Sequence, residues 1–198
     1  MHSKSLSAGS LCLISALAFS GRAYGQLPQG APSMQNRMDL ILPVSEDVRR
    51  AWADIGGRIV EMAQDFPESK YDFKVQKDQR TFAETLLHVA QDNLLTVSAI
   101  KGSHVGPEFN DQPPSRVVYH SKDDVVKLVK MSVDEGNAVI KDQSDAGLER
   151  AVLSPFSLDP VRVSTLWWSL IEDDGEHYGQ LAVYYRANNL VPPRTRRQ

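Results

Sequence analysis

Residues 164–189 read STLWWSLIEDDGEHYGQLAVYYRANN. Leu166, Trp167, Leu170, Ile171, Leu181, Val183 and Tyr184 recur at helical intervals, so one long helix is expected from near Ser164 to about Asn188. Asn189 suits its C-cap, and Pro192-Pro193 forbids continuation. Between the apolar ends, Glu172, Asp173, Asp174, Glu176 and His177 place charge-capable groups where the pattern calls for core. Asp173 and His177 are four residues apart, hence one turn apart on one face. Gly175 and Gly179 have the same spacing. Each costs about 1 kcal/mol in a helix interior relative to Ala, and together they line a strip that another helix can approach closely; packing alone also accounts for them. Trp167 and Trp168 are neighbours about 100° apart on a helix, so with Trp52 they cannot all face inward.

Three more helices are read upstream. Ser45-Glu46-Asp47 opens the first, with acidic residues in the turn where the helix dipole favours them, and Pro67 stops it. Its stripe is Val48, Trp52, Ile55, Ile59, Met62 and Phe66. After a loop carrying Tyr71 and Phe73, Thr81-Phe82-Ala83-Glu84 is a capping box, and its helix runs to Lys101 before Gly102. Here His88 stands alone among Leu86, Leu87, Val89 and Ala90. A long Pro- and Gly-bearing connection, Ser103 to His120, precedes a third helix opened by Ser121. Residues 142–160 are less regular, with a short helical piece expected around Leu148 to Leu153 and no strand anywhere. The reading is all-α: a four-helix bundle with long crossover connections.

The N-terminus is of another kind. Lys4 precedes an apolar run from Leu6 to Phe19, and Ala23 and Gly25 supply the small residues that a signal peptidase reads. The run is shorter than the ~20 residues of a spanning helix. Residues 1–25 are therefore expected to be a signal peptide, 26–37 a flexible leader, 38–193 the bundle and 194–198 a solvated basic tail. The mature protein would be periplasmic or secreted, with no stable membrane span. Cys12, the only cysteine, leaves with the signal and excludes a thiolate nucleophile. A net charge of −3 gives no footprint for nucleic acid.

A His from a facing helix could complete a half-shell with Asp173 and His177. Two imidazoles and a carboxylate suit a divalent ion such as zinc, nickel, iron or manganese. Spacing alone leaves open a solvated face beside an ordinary core histidine.

Pro67 with Tyr71-Asp72-Phe73, Arg80-Thr81-Phe82-Ala83-Glu84 and Leu87-His88-Val89-Ala90 resemble the first half of DinB-like proteins. Glu176-His177-Tyr178-Gly179-Gln180, Tyr185-Arg186 and Leu190-Val191-Pro192-Pro193 resemble their C-terminal signature. The resemblance spans about Met38 to Pro193. It implies a four-helix bundle, often a homodimer, with a divalent metal on three histidines: one on the second helix and an HxxxH pair on the last. His88 and His177 match two of these, and Asp173 stands at the third, a departure that keeps a ligand or weakens the site. Glu84 reads as a cap or as support for His88, and Asp92 as a fourth ligand, a base or a surface residue. Gln180 and Tyr184 are candidates for substrate contact.

The resemblance implies metal-assisted hydrolysis or transfer on a small-molecule substrate, since a divalent ion lowers the pKa of a coordinated water or thiol. Export argues against transfer to a cytoplasmic thiol. The alternative is a non-catalytic bundle serving as a binding or sensor module.

Overall fold

A computed structural model describes residues 42–103 and 114–197. The expected signal peptide, the leader, Cys12 and His104 lie outside the described residues. Four long helices make the body: α1 (Val44–Asp65), α2 (Phe82–Lys101), α3 (Lys122–Lys141) and α5 (Val163–Ala187). A short α4 (Asp145–Leu148) precedes α5. Among the described residues no helix is long and apolar enough to cross a membrane.

Local chemistry sets the ends. At α2 the Thr81 amide donates to Glu84 Oε2 (2.7 Å) while the Glu84 amide donates to Thr81 Oγ1 (3.0 Å), and Gly102 closes the helix at φ 72°. Ser121 and Asp124 repeat the box at α3. The first turn of α1 has no side-chain cap of its own. The Val44 and Ser45 amides donate instead to the carboxylate of Asp145, at 3.2 and 2.9 Å. Those bonds hold the Asp145 carboxyl below its usual range.

Tertiary bonds give the directions. Tyr185 at the end of α5 donates to the Met62 carbonyl near the end of α1 (2.9 Å), and Lys122 at the start of α3 donates to the Phe66 carbonyl (2.8 Å). Tyr184 packs on Phe82 at the start of α2. α1 and α5 therefore run one way and α2 and α3 the other. Each of α1 and α2 packs against both α3 and α5, so α1 and α2 are diagonal partners. α2 and α3 are therefore parallel although consecutive among the long helices.

The connection from α3 to α5 corrects the sequence reading. Ala151–Leu153 (β1) pairs antiparallel with Pro160–Arg162 (β2), with Val152 opposite Val161, where a helical piece and no strand were expected. Three-residue strands are too short for a period-two pattern to declare itself. The expected close approach at Gly175 and Gly179 is also absent, since a Cβ at either would meet nothing within 4 Å. The glycines that allow close packing are Gly56, against Val133, and Gly136, against Trp52. Trp52 and Trp167 are buried and Trp168 is 46% exposed, so the tryptophan pair divides as its helical angle requires. The basic tail is a 3₁₀ turn (Pro193–Arg197) pinned to α1 through Arg194–Asp54, Arg196–Asp65 and Arg197–Glu61 ion pairs.

Two apolar clusters fill the interior. One gathers Phe66, Tyr71, Phe82 and Tyr185 where α1 and α5 end; the other gathers Trp52, Ile100, Leu148 and Trp167 at the opposite end. Between them, Asn93, Thr96, Ser132, Asp174 and His177 are buried polar residues at mid-bundle. The candidate site lies in that layer.

Candidate metal centre

The antiparallel helices α2 and α5 bring His88 and His177 together, with ring centroids 4.9 Å apart and planes at 85°. Each imidazole has a carboxylate one turn along its own helix. His88 Nε2 is 3.4 Å from Asp92 Oδ2, and His177 Nε2 is 3.5 Å from Asp173 Oδ2. His177 is buried, whereas Asp173 is 41% exposed at its side chain, so the group opens toward solvent on the Asp173 side.

Gln180 is placed to select the His177 tautomer. Its Oε1 lies 3.0 Å from His177 Nδ1. With the ring proton donated there, Nε2 keeps its lone pair, and that atom is buried without a hydrogen-bond partner. An unpartnered imidazole nitrogen held in one tautomer is the form that ligates a metal.

Asp174 was not singled out from sequence. It is fully buried, and neither of its oxygens has a hydrogen-bond partner. Burial holds its carboxyl well above the usual range, and the charges of Asp173 and Asp92 push the same way. A signal was present: position 174 continues the stripe Val163, Leu166, Leu170 toward His177 and Leu181 at steps of three and four. A carboxylate at a core position of an otherwise apolar stripe marks the same site as the His–Asp pair beside it.

Charges around the imidazoles move in a consistent direction. Burial lowers the His88 pKa, with Arg80 and His177 adding and Asp173 opposing. Burial raises Asp92 to about 6, with Asp173 adding and His177 and Arg80 opposing. Carboxyls packed together without a cation retain protons.

These observations fit a divalent ion. It would give the orphaned His177 nitrogen a partner and offset the repulsion among Asp92, Asp173 and Asp174. Two imidazoles with carboxylate oxygen form a borderline donor set. Among the described residues no three His, Asp or Glu side chains are drawn tightly enough to be an assembled ligand set. The groups are neighbours.

The other sequence candidates separate cleanly. The Glu84 carboxylate is engaged by the Thr81 amide, which gives it the capping role. Asp92 joins the imidazoles. Gln180 orients His177, and the Tyr184 hydroxyl donates to the Arg80 carbonyl. His120 is exposed and apart.

Similarity to known proteins agrees with this architecture. One solved structure with a similar fold is a DinB-like protein from Bacillus subtilis, at 19% identity, covering 72% of this chain and 92% of that one with a TM-score of 0.57. A DinB-like protein from Bacillus cereus gives 15% identity, coverage of 75% and 95%, and a TM-score of 0.62. A conserved protein from Enterococcus faecalis gives 15%, 74% and 98%, and 0.59. At such identities the likeness is one of fold. No curated protein matches the chain. The sequence pattern of the DinB superfamily matches residues 51–181, well over half of the length, and the chain belongs to the DinB superfamily.

Proposed function

We propose that the protein is an exported bundle that holds one divalent ion through His88, Asp173 and His177 and uses it in hydrolysis or transfer on a small molecule. The observation that carries this reading is the buried, unpartnered Nε2 of His177, with Asp173 at 3.5 Å and the His88 ring centroid 4.9 Å from its own. A divalent ion supplies Lewis acidity toward a coordinated oxygen or sulfur. The chain's residues supply the rest. Gln180 holds the His177 tautomer, Asp92 lies against His88 where it can accept or return a proton, and the partly exposed Asp173 leaves an entrance. Export rests on the composition of residues 1–25 and favours hydrolysis over transfer to a cytoplasmic thiol.

Elemental analysis after reconstitution with zinc, manganese, nickel or iron(II) tests this. A stoichiometric ion is expected in the wild type, none in His88→Ala, and tighter retention in Asp173→His. Retention of the ion by His88→Ala to the wild-type extent refutes the site.

A further inference from the structure

A cleft of about 410 Å³ opens between the loop before α2 and the last turns of α5. Val75 and Val183 give it an apolar wall, and Asp78, Arg80, Gln180 and Tyr184 give it polar groups. Gln180 also bonds His177 Nδ1, so the cleft and the imidazole site share a wall. Arg80 is exposed, and its guanidinium makes no hydrogen bond or ion pair among the described residues; only its carbonyl is used, by Tyr184. Arg49, Arg58, Arg116, Arg196 and Arg197, by contrast, are all ion-paired.

We propose that this cleft binds a small monoanionic substrate by its carboxylate, with Arg80 as the anchor, and directs the remainder of the molecule toward His88 and His177. What happens to the substrate there rests on the metal-site reading; its binding does not. A guanidinium presents paired N–H donors that match a carboxylate. Small-molecule sites run from roughly 300 to 1,000 Å³, so this cleft suits a compact ligand. A single negative charge is favoured over two because the Asp78 carboxylate lines the same cleft, and a phosphate dianion would meet it.

Ligand-observed NMR titration with N-acetylglycine, its neutral amide N-acetylglycinamide and inorganic phosphate tests the proposal, on the protein as purified and after chelation. N-acetylglycine is expected to bind saturably, and more tightly than the other two. Arg80→Gln is expected to weaken it by roughly tenfold to a hundredfold. That substitution leaves the backbone carbonyl bonded by Tyr184, and an unchanged circular dichroism spectrum checks the fold. His88→Ala is expected to lose metal yet keep N-acetylglycine binding. Equal affinity in Arg80→Gln, tighter binding of phosphate, or no saturable N-acetylglycine binding overturns the proposal. Failure of the metal reading looks different: no ion is retained, while the Arg80 dependence persists.

Discussion

Asp92 ties the site to stability in a way that pH can read. Its carboxyl is raised from 3.8 to about 6, first by burial and then by Asp173. At about 1.36 kcal/mol per pH unit, that difference is worth at most about 3 kcal/mol, and solvent screening of the half-buried carboxyl reduces it. The folded chain holds this proton more tightly than the unfolded chain does. The contribution is therefore complete below about pH 4 and is lost as pH rises through 6. Buried Asp174 acts with the same sign. His88 acts against it, because its lowered pKa makes the folded chain release a proton early and gain stability as pH rises toward 6.5. Comparing wild type with Asp92→Asn isolates the Asp92 part. Urea unfolding of chelated protein between pH 4 and 7.5 is the assay. Between those limits the wild type is expected to lose up to about 3 kcal/mol relative to Asp92→Asn. In protein loaded with a divalent ion the trend is expected to shrink or reverse, since a cation favours the ionised carboxylates. Parallel pH profiles for wild type and Asp92→Asn in the chelated protein would mean that burial and the Asp173 charge do not raise the Asp92 carboxyl, and the electrostatic account of the site would fall.

Other substitutions probe the frame and the orientation of the site. Gly136→Ala places a Cβ 2.5 Å from Trp52 Cζ2, on a ring held by the Val133 carbonyl and by Trp167, so unfolding in urea should show a loss of about 1–3 kcal/mol. Gln180→Leu removes the group that holds the His177 tautomer, and chelator competition should show metal affinity lower by roughly tenfold to a hundredfold with the fold intact. An unchanged affinity would mean that Gln180 serves the cleft alone.

The parts of the molecule that the sequence displays are those set by local rules. Thr81 with Glu84 and Ser121 with Asp124 satisfy helix ends within four residues, so their signatures are contiguous in the chain. The hairpin escaped because only Val152 and Val161 turn partly inward, and their pairing joins residues nine apart across a loop. The glycines were misread for a related reason. Gly175 and Gly179 have the spacing of a packing strip, but whether a helix lies against them depends on the partner, and Val133 and Trp52 came instead to Gly56 and Gly136. The parallel course of α2 and α3 is likewise set by tertiary contacts. His88 and His177 stand out in the sequence because a polar group inside an apolar stripe is costly, and Asp173 because it sits one turn from His177. Asp174 is masked by its neighbour, because Asp173 carries the i,i+4 spacing to His177 while only the three-dimensional packing turns Asp174 inward.

That second aspartate changes what the departure at position 173 means. Asp173, where the family resemblance implies a histidine, puts a negative charge near Asp92 and Asp174, and the charges of Asp173 and Asp92 both act on Asp174. A bundle selected for stability alone would favour an apolar residue at 174, because a buried, unpartnered polar group costs about 1–3 kcal/mol. The mid-bundle layer carries several such atoms together: both oxygens of Asp174, Asn93 Oδ1, Thr96 Oγ1 and His177 Nε2. Around the proposed ion, the same residues would form a harder and more anionic surrounding than three imidazoles, suited to manganese or iron(II) as well as zinc. Ion binding would then release the protons that Asp92 and Asp174 retain without it, making affinity rise steeply with pH through the range where Asp92 titrates.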